Sequence, residues 1–277
     1  MTPVLWSANL GLLFAEHPLL DRPAAAVTCG FGTIECWWPP DDQARALTER
    51  IRALPVDVAC INAGCASADA HGACLNDPEH RDTAQRDFRA AVELARAVGA
   101  RRINLPIGHL MEGRSVQGQL REATAAVREL AEIAAAAAMT ILIEPLNAAD
   151  APGYLIADAD AAAEFIEGVG SDAVRMLFDA YHCARSGGDP IANVYRHVDL
   201  IDHVQYADSP GRGRPGSGRS DVWTLVDALA AVGYDGAVGL EYRSHGWSAD
   251  SLLFIVEAPT SAPIAHGRIS ERQELAS

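Results

Sequence analysis

The stretch TILIEPLNAADAPGYLIADADAAAEFIEGVGSDAVRMLFD, residues 140–179, contains the pattern that decides the fold of this chain. An apolar run at 140–144 is followed by a helical pattern at 158–169, which Gly170 ends, and then by a second apolar run at 175–179. A glycine directly after a helical pattern is a common stop signal. Strand, helix and strand in this order predict two parallel strands, because a parallel pair needs a long and usually helical crossover.

The same alternation extends over the rest of the chain. Apolar runs that we interpret as strands recur at 5–9, 33–37, 57–62, 102–106, 140–144, 175–179, 201–205 and 237–241. Helical patterns recur between them, at 41–54, 78–99, 116–138, 158–169, 189–197 and 220–232. Eight strand runs in one chain favour a closed barrel. The alternative is an open doubly wound sheet, but no Gly-x-Gly-x-x-Gly motif follows the first run to support a nucleotide site there.

We therefore predict an α/β protein with one domain, a single (β/α)8 TIM barrel over residues 1–256. The last stretch, 257–277, loses the periodicity and is rich in Ala, Ser and Pro. We interpret it as a polar, solvated C-terminal tail, with an oligomer arm as the alternative. Exposed barrel helices together with such a tail would allow a homo-oligomer.

The composition limits the kinds of partner. The chain has 277 residues, of which 37 are acidic and 22 basic, and its net charge is −15. A non-specific binder of the nucleic-acid backbone needs a basic face, so nucleic acid is not an expected partner. A small anionic substrate stays open, since a local pocket can be basic within an acidic protein. The hydrophobic share of 49% is enough for a sizeable core.

The cysteines and the apolar segments indicate a reduced, cytoplasmic chain. The six cysteines include no Cys-x2-Cys pair and no zinc-finger spacing. The N-terminus lacks a basic segment followed by an apolar core, so no signal peptide is expected. The Ala-rich run at 131–138 is too short for a membrane span, and no membrane partner is predicted.

Four successive strand runs end in an oxygen-bearing side chain: Glu144, Asp179, Gln205 and Glu241. The carboxyl ends of barrel strands meet at one mouth. A single carboxylate there is usually a cap or an ion-pair residue, but several at equivalent ends repel one another and are costly to desolvate without a cation. Carboxylate and amide oxygens suit Mg²⁺ or Mn²⁺ better than Zn²⁺. We therefore predict a divalent metal, Mg²⁺ or Mn²⁺, as the cofactor.

Over about residues 4–255 the chain resembles the hydroxypyruvate isomerase family of the xylose isomerase-like barrels. The matching motifs are SANLGLLFAEHPLLDR (7–22), CGFGTIECWWPPD (29–41), EPLNAADAPGY (144–154), FDAYH (178–182), HVQYADSPGR (203–212) and GLEYR (239–243). EPLN-x-x-D-x-PGY and FD-x-YH together are the most specific of these. The resemblance implies that Glu144, Asp179, Gln205 and Glu241 hold the metal. It also implies that the two glutamates are catalytic and exchange the substrate proton.

The implied reaction interconverts a small hydroxy-oxo acid, of the hydroxypyruvate and tartronate semialdehyde type, through an enediolate. Such an isomerisation removes a proton next to a carbonyl and returns it one carbon away. A divalent metal stabilises the enediolate as a Lewis acid, and a carboxylate on each face can serve as base and acid. The alternatives on the same site are a ketose or sugar-phosphate 3-epimerase, a metal lyase or dehydratase, and an inactive metal-binding barrel.

Further side chains are candidates for substrate binding. The resemblance implies that His182 contacts a substrate oxygen and that Asp150 contacts substrate hydroxyls; the alternatives are a structural histidine and a turn residue. Arg212 lies on a Gly/Pro-rich loop and matches an arginine of the family, so it is a natural anion contact or else a solvated side chain. Trp37 and Trp38 follow the second strand run and would either wall the pocket or pack in a loop.

Three residues are expected to contact the metal ligands without binding the metal themselves. Glu35 is near the end of the second strand run and looks like a partner of the metal site, or else is only an ion-pair residue. His203 lies two residues before Gln205 and should share its strand face, either at the site or in the barrel interior. Arg243 matches a basic position of the family and would help to neutralise the ligands.

Two loops depart from the family pattern. His71 stands where an arginine is expected, and a histidine offers a weaker, pH-dependent contact to a substrate carboxylate. In the loop that reads GRPGSGR, Arg214 and Arg219 replace two acidic residues. These arginines would form an anion site, for a phosphate or a longer acid, or would lie in solvent. The predicted metal ligands are unaffected, so the departures leave open which acid is the substrate.

Overall fold

The computed structural model describes residues 4–64 and 75–256, and the strands of this part form a closed parallel barrel in chain order. Each strand pairs with the next, and the eighth pairs with the first. The strands are β1 (Leu5–Asn9), β2 (Thr33–Cys36), β3 (Asp57–Asn62), β4 (Arg102–Asn104), β5 (Thr140–Ile143), β6 (Val174–Asp179), β7 (Ile201–Tyr206) and β8 (Ala237–Leu240). The predicted (β/α)8 TIM barrel is confirmed.

Helices alternate with the strands along the chain, and the last two follow β8. They are α1 (Arg22–Thr28), α2 (Asp41–Arg52), α3 (Arg81–Val98), α4 (Val116–Ala136), α5 (Ala159–Val169), α6 (Ala180–Arg185), α7 (Pro190–His197), α8 (Val222–Ala231), α9 (Ser248–Ser251) and α10 (Leu253–Val256). The predicted helical patterns match α2 to α5, α7 and α8, with ends that differ by at most three residues. The sequence does not predict α1, α6, α9 and α10, because helices of four to seven residues are too short for a hydrophobic period to be visible.

Local signals set the helix ends. At the start of α4, the Ser115 hydroxyl accepts a hydrogen bond from the Gly118 N–H at 3.1 Å. Asp158 caps α5 in the same way, through the Ala161 N–H at 2.9 Å. Gly170 ends α5 with a φ of +69°, a left-handed conformation that residues with a side chain rarely adopt. This stop allows the chain to turn back into β6.

Both faces of the barrel strands are buried, and one face fills the interior. Cys60, Leu142 and Leu177 form a small buried cluster separate from the main core. Side chains two residues apart share a strand face, so Glu144 and Asp179 follow Leu142 and Leu177 on the inward side. The interior is therefore apolar near its centre and polar at the carboxyl ends of the strands.

The strand register brings the ends of β6, β7 and β8 to one level. Asp179 lies beside Gln205 in the β6–β7 pairing, and Gln205 lies beside Gly239 in the β7–β8 pairing. Glu144 and Glu241 come directly after β5 and β8. The strand-end side chains singled out in the sequence thus share the carboxyl-terminal mouth of the barrel.

Three expectations concern the chain as a whole. Among the described residues, no helix combines the length and the hydropathy that a membrane span requires. The cysteines in the described part, at positions 29, 36, 60 and 183, are free thiols. The predicted C-terminal tail lies outside the described residues, and the domain boundary at 256 stays a prediction.

Candidate metal centre

Carboxylates that follow or end three strands converge at the mouth of the barrel, around the side chains of His182 and Arg212. Glu144, Asp179 and His182 each contribute one potential metal-ligand atom, and these three atoms lie within 4.8 Å of one another. Arg212 Nη2 lies 2.8 Å from Glu241 Oε2 and 3.7 Å from Asp179 Oδ2. The structure therefore brings the three carboxylates singled out in the sequence into one cluster.

These carboxylates are almost removed from water. Asp179 is 1% exposed and Glu241 4%, and 12% of the Glu144 side chain is exposed. Burial, together with the charges of Glu241 and Asp179, raises the pKa of Glu144 well above its usual value. Burial also raises the pKa of Asp179 and of Glu241, although the positive charge of Arg212 acts in the opposite direction. Three buried carboxylates beside one arginine leave a net negative charge, which favours a cation.

Two oxygen atoms of the predicted metal ligands have no hydrogen-bond partner among the described residues. They are Asp179 Oδ2 and Gln205 Oε1, both on buried side chains. Buried polar atoms are normally paired, and an unpaired one costs free energy. Both atoms are hard oxygen donors of the kind that Mg²⁺ and Mn²⁺ prefer. The donor set therefore fits a divalent cation.

The carboxylate of Glu35, on β2, orients Gln205. Gln205 Nε2 donates to Glu35 Oε2 at 2.6 Å. Because the two polar atoms of an amide lie on opposite sides, Gln205 Oε1 then points away from Glu35. His203 Nε2 lies 2.9 Å from Glu35 Oε1, and Asn9 Nδ2 donates to Glu35 Oε2 at 3.2 Å. Gly239 makes room for this group, since a Cβ at that position would overlap the Glu35 carboxylate. Glu35 and His203 thus lie in the barrel interior behind Gln205.

Neutral donors hold the two glutamates. Asn104 Nδ2 donates to Glu144 Oε2 at 2.6 Å. Asn9 Nδ2 and Trp37 Nε1 donate to Glu241 Oε1 at 3.1 and 3.0 Å. Trp37 is 41% exposed, so its indole lies at the rim of the mouth while its N–H reaches inward. These donors orient the carboxylates without cancelling their charge.

His182 and Asp150 are held together by Asn147. The Asn147 N–H donates to His182 Nδ1 at 3.0 Å, and Asn147 Nδ2 donates to Asp150 Oδ2 at 3.1 Å. The Tyr181 hydroxyl donates to the same Asp150 oxygen at 2.7 Å. Burial lowers the pKa of His182 to about 4, so its ring is neutral at neutral pH. His182 Nε2 lies 3.8 Å from Glu144 Oε1, so the structure brings this histidine to the carboxylate cluster.

The loop after β7 directs Arg212 into the cluster. Arg212 has a φ of +52°, in the left-handed region, and its guanidinium carbon lies 5.2 Å from the centroid of the Tyr181 ring. Asp208 accepts hydrogen bonds from the N–H groups of Gly218 and Ser220, both at 2.8 Å, and these bonds close the loop. The compact loop and the aromatic contact together hold the guanidinium at the mouth.

Other residues singled out in the sequence lie away from the cluster. Arg214 and Arg219 are exposed on the loop after β7. The side chain of Arg243 is also exposed, and its backbone N–H donates to the Arg212 carbonyl at 2.8 Å. The structure therefore does not place Arg243 among the groups that neutralise the ligands. His71 lies outside the described residues.

The sequence does not single out three asparagines that hold the candidate site: Asn9, Asn104 and Asn147. Asn9 and Asn104 are the last residues of β1 and β4. The strand-end rule that selects Gln205 also applies to Asn9, which ends the predicted run 5–9, but not to Asn104, because the predicted run 102–106 extends two residues beyond it. Asn147 lies in a loop three positions after Glu144, and its role is visible only from its contacts with His182 and Asp150.

Comparisons with known proteins agree with this geometry. A family model described as Xylose isomerase-like TIM barrel matches residues 23–265, and the chain therefore belongs to that family. The hydroxypyruvate isomerase of Escherichia coli (strain K12) is 31% identical, over 86% of this chain and 93% of the relative. The 2-oxo-tetronate isomerase of Cupriavidus necator is 32% identical, over 89% of this chain and 95% of the relative.

Similarity in structure extends the comparison. A crystal structure of an AP endonuclease, family 2, from Brucella melitensis has a TM-score of 0.87 and 26% identity, and the match covers 92% of this chain and 99% of that chain. The predicted resemblance to the hydroxypyruvate isomerases is confirmed by the sequence relatives. Within the barrel family, this chain is an isomerase of the aldose–ketose type.

Proposed function

We propose that this protein interconverts a small hydroxy-oxo acid, of the hydroxypyruvate and tartronate semialdehyde type, by metal-dependent proton transfer through an enediolate. The names of the sequence relatives support the substrate class. One observation above all supports the metal dependence. Asp179 Oδ2, in the cluster that contains Glu144 and Glu241, is buried and unpaired, and so is Gln205 Oε1, on the residue that lies beside Asp179 in the β6–β7 pairing.

Glu144, Asp179, Gln205 and Glu241 would hold the metal. Three carboxylates and one amide oxygen favour Mg²⁺ or Mn²⁺ over softer cations. Positive charge at this position would relieve the repulsion that contributes to the raised pKa of Glu144, and it would pair the two unpartnered oxygens. A divalent cation supplies Lewis-acid stabilisation of the negative charge on an enediolate.

Glu144 and Glu241 form the proposed acid–base pair. They come after β5 and β8, and the ends of β6 and β7 lie between them in the barrel. Asn104 holds Glu144 through a neutral donor, whereas Glu241 accepts from the neutral N–H of Trp37 at Oε1 and from the charged Arg212 at Oε2. A carboxylate at either position can serve as base or acid. One glutamate would remove the proton next to the substrate carbonyl, and the other would return a proton at the neighbouring carbon.

Arg212, His182 and Asp150 are the proposed substrate contacts. The guanidinium of Arg212 suits the carboxylate of an oxo acid in charge and in planar shape. The neutral ring of His182 can hydrogen-bond a substrate oxygen without adding charge. Burial would raise the pKa of Asp150, but hydrogen bonds from Tyr181 and Asn147 lower it, so this carboxylate stays ionised as an acceptor for hydroxyls.

The direct test is proton exchange in the variants Glu144→Gln and Glu241→Gln. Each variant keeps the shape of the side chain and removes its ability to take a proton. With Mg²⁺ and hydroxypyruvate in deuterated water, the wild type should incorporate deuterium. Each variant should exchange roughly 100- to 10,000-fold more slowly, the usual contribution of a general acid or base.

The matched control for this test is Glu49→Gln. Glu49 lies on α2 with 66% of its side chain exposed, so the same substitution there should leave the exchange rate unchanged. Wild-type exchange in Glu144→Gln or in Glu241→Gln would remove that glutamate from the proton-transfer role.

A longer hydroxy-oxo acid is the second candidate substrate, because one relative is named a 2-oxo-tetronate isomerase. A panel of hydroxypyruvate, 2-oxo-tetronate, ketoses and sugar phosphates, assayed with Mg²⁺ and with Mn²⁺, would rank the candidates. Epimerisation of a ketose without isomerisation of either acid would favour the 3-epimerase alternative. The absence of exchange with every member of the panel would indicate an inactive metal-binding barrel.

A further inference from the structure

We infer that Asn147 is a positioning residue that sets both the proton position of His182 and the orientation of the Asp150 carboxylate for substrate binding. The inference rests on the proposed function, since it treats His182 and Asp150 as substrate contacts. Asn147 lies in the loop after β5 and is 1% exposed. Both polar atoms of its side chain are engaged in hydrogen bonds.

Two backbone donors decide the orientation of the Asn147 amide. The N–H groups of Ala149 and Asp150 point to one side-chain atom of Asn147, at 3.1 and 3.0 Å. An oxygen can accept both bonds and an NH₂ group can accept neither, so this atom is Oδ1. Nδ2 therefore faces the Asp150 carboxylate, at 3.1 Å, and the His182 ring, at 2.8 Å.

The same reasoning assigns the proton of His182. Its Nδ1 atom lies 3.0 Å from the backbone N–H of Asn147 and 2.8 Å from Asn147 Nδ2. Both of these groups are donors, so Nδ1 is the acceptor and a neutral ring bears its proton on Nε2. Nε2 lies 3.7 Å from Asp179 Oδ2 and 3.8 Å from Glu144 Oε1, beyond hydrogen-bond distance of either. Its N–H is therefore left for an oxygen of the substrate.

This proton position limits what His182 can do. With a proton on Nε2, the ring cannot coordinate a metal through that atom, although it lies close to Glu144 and Asp179. It can donate to a carbonyl or carboxylate oxygen. Next to it, the Asp150 carboxylate is an acceptor that Asn147 and Tyr181 hold in place. One asparagine thus prepares a donor for an oxo group and an acceptor for a hydroxyl, which is the pattern of a hydroxy-oxo acid.

The test is the isosteric variant Asn147→Asp. It keeps an acceptor for the N–H groups of Ala149 and Asp150, but it replaces Nδ2 by a carboxylate oxygen. That oxygen would repel Asp150 and attract a proton to His182 Nδ1. The readout is the pair of imidazole ¹⁵N chemical shifts of His182 in the Mg²⁺-loaded protein, assigned by their loss in His182→Gln.

The wild type should show an unprotonated Nδ1 and a protonated Nε2, whereas in Asn147→Asp the Nδ1 signal should move toward the protonated value, because one of its two donors is replaced by a carboxylate oxygen and only the backbone N–H remains. The kcat/KM for hydroxypyruvate should fall roughly 10- to 100-fold in Asn147→Asp, as is usual when a supporting residue is lost, and most of the fall should be in KM. Asn193→Asp makes the same change of charge on α7, where the side chain donates to the Asp189 carbonyl and shares no hydrogen-bond partner with the imidazole of His182 in the described part of the chain. It should alter neither the ring signals nor KM.

Two results would overturn the inference: a protonated Nδ1 in the wild type, or unchanged ring signals and KM in Asn147→Asp. The wild-type spectrum shows which ring nitrogen of His182 bears the proton, even if the variant fails to fold. The ring signals require no turnover. An inactive wild type with its proton on Nε2 would therefore contradict the proposed function and still support the assignment of the His182 proton.

Discussion

Arg212 combines an uncommon backbone conformation with a position among carboxylates. Its φ is +52°, and its guanidinium lies 2.8 Å from Glu241 Oε2. Burial alone would lower its pKa, but the carboxylates of Glu241, Asp179 and Glu144 raise it, so the side chain is charged. Arg212 therefore supplies part of the positive charge that the cluster needs, and the proposed metal would supply the rest.

Arg212→Met should destabilise the metal-free protein more than the Mg²⁺-loaded protein. Methionine keeps much of the side-chain volume but leaves Glu241 and Asp179 without their counter-charge. The expected loss is about 3 kcal/mol of unfolding free energy without metal. Mg²⁺ should restore part of this loss, because a cation neutralises the same carboxylates. Thermal unfolding with Mg²⁺ and with a chelator measures both values.

Arg243→Met is the matched control for this prediction, since the Arg243 side chain is exposed. It should change stability by no more than about 0.5 kcal/mol in either condition. If Arg212→Met lost the same free energy with and without Mg²⁺, the idea that arginine and metal share the charge would be wrong.

At the scale of elements, three strands cooperate to orient one proposed ligand. Gln205 on β7 is turned by Glu35 on β2, and Gly239 on β8 leaves the space that the Glu35 carboxylate occupies. A Cβ at Gly239 would also lie 2.9 Å from Gln205 Cγ, closer than real side chains allow. A glycine is therefore required in β8 by a side chain from β2, which is separated from β8 in the closed barrel by β1 alone.

Gly239→Ala should weaken metal binding while leaving the barrel folded. The added methyl group displaces Glu35 and so disturbs the amide of Gln205, for an overpacking cost of about 1–3 kcal/mol. The affinity for Mn²⁺ should fall roughly 10-fold or more, because Gln205 loses its orienting partner. Electron paramagnetic resonance titration measures free Mn²⁺ directly, and circular dichroism checks the fold.

Gly168→Ala in α5 is the control for this variant. The nearest atom to a Cβ at Gly168 is 4.0 Å away, so alanine fits there without displacing a neighbour. It should stabilise the helix by about 0.5–1 kcal/mol and leave the Mn²⁺ affinity unchanged. An unchanged affinity in Gly239→Ala as well would show that Glu35 does not orient a ligand.

At the scale of the whole molecule, the proposed ligands come from the ends of four consecutive strands, β5 to β8. A cation bound there would link these strands at the mouth, and the unfolded chain does not contain such a site. Binding to the folded state alone stabilises a protein by about 2.7 kcal/mol when the free ligand is at 100 times its Kd.

Mg²⁺ should therefore raise the unfolding temperature, and a chelator should reverse the effect. Differential scanning calorimetry over a series of Mg²⁺ concentrations measures this stabilisation. Asp179→Asn, which removes a charge from the centre of the cluster, should reduce it. A wild-type unfolding temperature that stays constant throughout the Mg²⁺ and Mn²⁺ series would contradict a metal site.

Much of this molecule can be predicted from its sequence because the relevant patterns are local. The alternation of apolar runs with helical patterns predicts the barrel, and barrel closure places the strand ends at one mouth. Oxygen-bearing side chains at those ends therefore point to Glu144, Asp179, Gln205 and Glu241 as neighbours. The resemblance alone suggested Arg243, and its side chain is exposed in the structure.

Contacts between residues that are far apart in the sequence are outside the reach of local patterns. Asn9 and Glu241 are hydrogen-bonded although 232 positions separate them, and Glu35 and Gln205 are 170 positions apart. The sequence by itself determined the barrel and the four strand ends that face one another. Only the tertiary structure decided which way each polar group at the mouth is turned, because orientation depends on hydrogen bonds between residues that folding alone brings together.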